Sequence, residues 1–175
     1  RDGFRLDTPR QYERIVVAID PAVTSVDSSD ETGIIVAGLT EGGEVDIIHD
    51  ASGKYRPLEW AREALALYSR FNADAIVGET NQGGDLIEAN LAAYSSNQFF
   101  SFIGVHAKKG KYLRAEPVAA CYEKQLIRHV GSLDKLESQM CEFTGSSTNG
   151  SPDRLDAAVY AVTELILGNN QHAFY

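Results

Sequence analysis

Apolar positions in this chain fall into two kinds of stretch, short continuous runs and longer segments with a spacing of three and four, and the two separate strands from helices. Arg14-Ile-Val-Val-Ala-Ile-Asp20 is a β-branched run closed by an acid before Pro21, the pattern of a strand covered on both faces. Gly33 to Gly38 and Glu44 to His49 are two further runs, parted by the Glu41-Gly42-Gly43 turn; the three together predict an antiparallel meander. Pro57 then opens a helix whose stripe is Leu58, Ala61, Ala64, Leu65 and Tyr68, ending near Phe71-Asn72. Asp74-Ala-Ile-Val-Gly-Glu79 repeats the motif of an apolar run ending in an acid, and Gly83-Gly84-Asp85 feeds a second helix through Leu86, Ile87 and Leu91. Beyond it the pattern predicts a fifth strand from Phe99 to His106, a helix from Arg114 to Gln125, a strand stub at Ile127 to Val130 and a short helix from Leu133 to Phe143. Gly145 to Gly150 reads as a loop, and Ser151-Pro152-Asp153 caps a closing helix from Arg154 to Leu167.

A meander followed by helix, strand, helix and strand predicts an α/β fold: a mixed five-stranded sheet in the order three, two, one, four, five, with strand two antiparallel and helices flanking. Strands one and four are then parallel neighbours, about 4.8 Å apart. Their carboxyl ends carry Asp20 and Glu79. Residues 1–13 have no apolar period and are expected to be a linker, leaving residues 14–175 as one domain without internal repeats.

Composition narrows the class. At 175 residues, 43% hydrophobic and 23% charged, the chain is long enough to bury a core without disulfides or structural zinc. No apolar run approaches the roughly 18–20 residues that span a bilayer, and Arg1 to Arg10 is charged where a signal peptide needs an apolar centre. An intracellular protein with no membrane partner is expected, with Cys121 and Cys141 as reduced thiols. The net charge of -9 argues against general attraction to polyanions, so charge distribution has to decide. One dense basic run stands out, Lys108-Lys109-Gly-Lys111-Tyr-Leu-Arg114. It follows the fifth strand, on the side where the acids emerge, and suits contacts to phosphate.

Two carboxylates at one sheet edge repel unless something balances them. A hard divalent cation, Mg²⁺ or Mn²⁺, does so with oxygen ligands and open positions for a phosphate and a water. Asp153-Arg-Leu-Asp156 is the best source of a third acid, since residues three apart share a helical face, and Ala157-Ala158 lets that helix end approach the sheet. Asp153 is also a natural helix-capping acid. Asp27, Asp30 and Glu31 read as a solvated loop, and His129 and His106 as more often structural than catalytic, although His106 ends the fifth strand, where it could lie near the site.

In order along the chain, Arg14 to Ala22, Asp30 to Gly38, Gly78-Glu79-Thr-Asn-Gln-Gly-Gly-Asp85, Lys111-Tyr-Leu-Arg114-Ala-Glu-Pro117 and Ser151-Pro-Asp153-Arg-Leu-Asp156-Ala-Ala resemble the nuclease domain of the large terminase subunit of tailed bacteriophages and prophages. The resemblance covers roughly residues 14–168. It implies a ribonuclease H-like fold and a metal-dependent endonuclease that cuts concatemeric double-stranded phage DNA during packaging, in the cytoplasm of a bacterial host. By position, Asp20 and Glu79 match the first two family acids, and the third falls within Asp153 to Asp156. Both aspartates are candidates, with Asp153 ahead. Lys111 and Arg114 become expected DNA contacts, with Lys108 and Lys109 beside them. The expected mechanism uses two ions about 3.5–4 Å apart, with Asp20 bridging them. Implied partners are an amino-terminal ATPase domain of the same full-length protein, the small terminase subunit and the portal. The ATPase loop Gly-x-x-x-x-Gly-Lys-Ser/Thr is absent from these residues. The rival readings are another ribonuclease H-like enzyme, a junction resolvase or hybrid nuclease, and a non-catalytic module that docks DNA or portal.

Overall fold

The computed structural model describes residues 2–22, 31–80, 86–105, 111–143 and 152–168. Seven strands run in chain order: β1 (Arg5–Leu6), β2 (Arg14–Asp20), β3 (Gly33–Leu39), β4 (Val45–Asp50), β5 (Ala75–Glu79), β6 (Phe102–Val105) and β7 (Ile127–Val130). The helices are α1 (Pro57–Arg70), α2 (Leu86–Ser95), α3 (Lys111–Glu123), α4 (Asp134–Glu142) and α5 (Asp153–Val162), the last continuing into a π-helical turn, Thr163–Leu167. The sheet order is β1-β7-β4-β3-β2-β5-β6.

The five expected strands form a contiguous block in the expected order, running from β4 out to the edge strand β6, and β3 is antiparallel to both of its neighbours. The sheet is wider than expected by two strands. β7 pairs in parallel with β4, and β1 pairs in parallel with β7. Residues 2–13, expected to be a linker, therefore carry β1. They also hold Asp46, a fully buried acid on β4: Arg10 donates to it from Nε at 2.8 Å and Nη2 at 2.5 Å, and the Tyr12 hydroxyl donates at 2.7 Å. Burial first, opposed by the Arg10 backbone amide and reinforced by Asp46, pushes the Tyr12 phenol up to about 12. The Tyr12 ring lies on Gly38, where a Cβ would come within 2.6 Å of it.

Strand alternation divides the core into two layers. On one face Val16 and Ala18 of β2 and Ile35 and Ala37 of β3 pack with α3, α4 and α5. On the other Val17, Ile19, Ile34 and Val36 meet Trp60, Ala61, Ala64 and Leu65 of α1 and Leu91 of α2. Helix α5 lies against the middle of the sheet, with all ten of its residues buried. Its small side chains Ala157, Ala158 and Ala161 allow that approach. Helix α3 starts at Lys111, three residues before the expected Arg114, and β6 is shorter than expected. The Gly83–Asp85 turn, His106 and the Gly145–Gly150 loop lie outside the described residues. No helix among the described residues is long and apolar enough to cross a membrane.

Candidate metal centre

The parallel pairing of β2 with β5 puts Ile19 opposite Gly78, so the next residue in each strand, Asp20 and Glu79, emerges at the same sheet edge. On the other side of β2, Asp20 pairs with Gly33 at the start of β3. The first turn of α5 sits over that glycine, whose missing Cβ would press on the backbone carbonyl of Asp153 and come within 3.1 Å of the Ala157 Cβ. Asp153 and Asp156 are thereby delivered to the end of β2. Asp20, Asp153 and Asp156 each present a carboxylate oxygen within 4.8 Å of those of the other two. Asp153 and Asp156 are buried, at 5% and 7% exposure.

Glu79 belongs to the same edge but not to that trio. Its Oε2 accepts a hydrogen bond of 2.5 Å from the hydroxyl of Tyr160, a buried residue of α5. The sequence reading missed Tyr160, although its spacing was a usable signal: four residues beyond Asp156 and seven beyond Asp153, it lies on the same helical stripe.

Arg154 pins the start of α5. Its guanidinium donates from Nε to Asp50 at 3.2 Å, from Nη2 to the carbonyl of Ser52 at 3.3 Å, and from Nη1 to Glu31. Only 4% exposed, its pKa is lowered by desolvation, and it stays charged because arginine starts so high. Glu31, expected to be solvated, is thus an ion-pair partner of the site's helix. Two amides of the first turn find acceptors as well, Leu155 at Oε1 of Gln139 (3.2 Å) and Asp156 at the carbonyl of Pro152 (2.8 Å). Asp27 and Asp30 lie outside the described residues.

Of the basic run, Lys108 and Lys109 also lie outside them, while Lys111 and Arg114 fall in the first turn of α3. Strand β6 ends at Val105, which is paired with Glu79. His129 is structural as expected, fully buried between Tyr122 and Glu137.

Three carboxylates gathered this closely, two of them out of water, raise a like-charge cost that a small cation offsets. Their oxygen-only donor set suits a hard divalent ion. The residues present therefore fit the metal that the sequence reading expects.

A mixed sheet with one antiparallel strand, helices on both faces and an acid-lined edge is a ribonuclease H-like domain. Residues 17–165 match the family model of the terminase RNase H-like domain, and the chain belongs to that family. No curated protein matches the sequence. Among solved structures, the large terminase nuclease of thermophilic phage G20c with bound magnesium is 16% identical over 93% of this chain and 95% of that one, with a TM-score of 0.66. The yeast mitochondrial Holliday junction resolvase Ydc2 is 15% identical over 96% of this chain and 84% of its own, at 0.59. The large terminase of a second thermophilic bacteriophage, solved in complex with ADP, is 13% identical over 94% of this chain but only 42% of its own length, at 0.62.

Proposed function

We propose that this chain is the nuclease domain of a terminase large subunit, a divalent-metal-dependent endonuclease that hydrolyses phosphodiesters of concatemeric double-stranded DNA during phage genome packaging. The observation that carries this reading is the convergence of Asp20, Asp153 and Asp156 within 4.8 Å at the edge where Glu79 also emerges. Asp20, between the start of α5 and the end of β5, would serve both ions. Asp153 and Asp156 would hold one of them and Glu79 the other. Two Mg²⁺ or Mn²⁺ ions would supply Lewis-acid activation of the phosphate and of the attacking water, with no covalent nucleophile from the protein. Lys111 and Arg114, with Lys108 and Lys109 before them, bind backbone phosphate and offset locally the net charge of -9.

The match to less than half of the ADP-bound large terminase supports a larger protein around this domain; its partners on this reading are an ATPase domain, the small subunit and the portal, in the bacterial cytoplasm. Tethering to a motor would raise the effective concentration of DNA at a domain that is acidic as a whole.

The test is cleavage of supercoiled plasmid, a four-way junction and an RNA–DNA hybrid in Mg²⁺, Mn²⁺ and chelator. Metal-dependent nicking of plasmid that Asp20→Asn abolishes is expected. Preference for the junction or the hybrid would reassign the domain to another ribonuclease H-like activity, and saturable DNA binding without turnover in any metal would make it a docking module.

A further inference from the structure

We infer that Tyr160 is a positioning residue of the metal centre, orienting Glu79 toward the second ion; the inference rests on the function proposed above. Glu79 ends β5 on a side chain with three rotatable bonds, and the trio formed by Asp20, Asp153 and Asp156 does not include it. Its carboxylate accepts a hydrogen bond from the Tyr160 hydroxyl, 2.5 Å from Oε2, a short and therefore strong contact. The donor is itself immobile. Tyr160 is 5% exposed, in a helix buried along its whole length, and its ring belongs to the core layer beneath the sheet.

One stripe of α5 therefore addresses both strand-end acids. Asp153 and Asp156 approach Asp20, and one turn further along Tyr160 approaches Glu79. Fixing Oε2 also sets the direction of Oε1, and the ordering entropy of the glutamate is met before any ion arrives. Groups that orient a ligand from behind in this way commonly change metal affinity or activity by about 10–100-fold when removed. The hydroxyl comes from the buried side of the site and donates into the carboxylate, so it acts through Glu79.

Calorimetric titration of the purified protein with Mn²⁺, without DNA, tests this alongside plasmid nicking as a function of Mn²⁺ concentration. The wild type is expected to bind in two events. Tyr160→Phe, which keeps the ring and its packing, leaves the tighter event and the melting temperature in place, weakens the second about tenfold, and shifts the Mn²⁺ dependence of nicking by the same factor so that excess metal restores the rate. In a Glu79→Gln background the second event is absent and Tyr160→Phe changes nothing further. An unchanged isotherm for Tyr160→Phe, a single event in the wild type, or an equal loss in the Glu79→Gln background would each overturn the inference. The reading beneath it fails separately: if Asp20→Asn keeps both events, there is no metal centre at this edge for Tyr160 to organise.

Discussion

Gly33 and Asp153 are in backbone contact, so close that a methyl group on Gly33 would lie 2.6 Å from the carbonyl carbon of Asp153. Neither partner can yield by rotating a side chain, because the obstacle is the first turn of α5 and the glycine is the first residue of a fully buried strand. Gly33→Ala should push Asp153 and Asp156 away from Asp20. The expected result is a loss of about 1–3 kcal/mol in urea denaturation, the usual range for overpacking, together with a fall in Mn²⁺ affinity. Gly42→Ala is the control. A Cβ there meets nothing nearer than the Thr40 hydroxyl at 3.9 Å, so stability should stay within about 0.5 kcal/mol.

The trio of acids predicts that metal stabilises the fold. At a free Mn²⁺ concentration about 100 times the dissociation constant, mass action contributes about 2.7 kcal/mol, which for a domain of this size is roughly 5–10 °C in melting temperature. Asp20→Asn, Asp153→Asn and Asp156→Asn should each abolish that shift, since all three belong to the same cluster. Glu79→Gln should keep most of it and still lose plasmid nicking. Differential scanning calorimetry with and without Mn²⁺ reads the comparison, and a normal shift in Asp156→Asn would leave Asp153 as the only α5 ligand.

Arg154 spans three acceptors on the segment from Glu31 to Ser52, a geometry only a planar fork can reach. Arg154→Lys should therefore behave as a loss, with one ammonium unable to reach all three. Removing the charge altogether, in Arg154→Met, takes the cation from Asp50, at 12% side-chain exposure, and leaves it the Ser52 amide as donor. A fully buried acid stranded this way costs about 3–5 kcal/mol; with some solvent retained, about 2 kcal/mol is expected by chemical denaturation. Reduced Mn²⁺ affinity should accompany it, because Arg154 lies between Asp153 and Asp156 in the first turn of α5.

Residues 2–13 should prove part of the folded unit. Asp46 has no solvent exposure, and its cation is Arg10. Arg10→Met leaves that carboxylate with the Tyr12 hydroxyl, and a cost of about 3 kcal/mol follows from a buried charge losing its partner. Deleting residues 1–13 removes Tyr12 and β1 as well, and the urea midpoint should fall further than for Arg10→Met.

Legibility in the sequence follows from the length scale of each signal. The central strands were readable because Arg14 to Asp20, Gly33 to Leu39 and Ala75 to Glu79 are covered on both faces, which forces continuous apolar runs. Asp20 and Glu79 were readable as acids breaking those runs, and Asp153 and Asp156 as a helical pair. β1 left no trace, since two residues carry no period and Arg5 faces solvent. The link from Arg10 to Asp46 is polar at both ends and depends on how the amino-terminal segment crosses β4. In the sequence Tyr160 is one aromatic among the apolar positions of the closing helix. Its role appears only when the register of β5 against α5 is known, because its hydroxyl, not its ring, meets the site.

Behind the sheet edge, a buried polar chain gives stability a pH dependence of known sign. His129 has no solvent exposure; Tyr122 faces its Nε2 at 2.6 Å and Glu137 its Nδ1 at 3.0 Å. A carboxylate can only accept, so Nδ1 carries the proton toward Glu137 and Nε2 of the neutral ring accepts from the tyrosine hydroxyl. Burial holds the His129 pKa below its ordinary value of 6.5, outweighing the opposing pull of Glu137. For Glu137 burial pushes upward, but hydrogen bonds from Arg5 and His129 bring it to a net position below the ordinary carboxylate value of 4.5. In both cases the unfolded chain binds more protons than the folded one, so stability falls with falling pH. The loss begins below about pH 6.5 with His129 and continues through the carboxylate range with Glu137. Urea denaturation between about pH 8 and pH 4 should show this two-stage decline, and His129→Gln should shrink the upper stage, leaving the share of half-buried His49, whose pKa burial also lowers, while lowering stability at neutral pH. A flat profile from about pH 7 to pH 5.5 in the wild type would mean that the His129 ring takes up its proton equally well in the folded and unfolded chains.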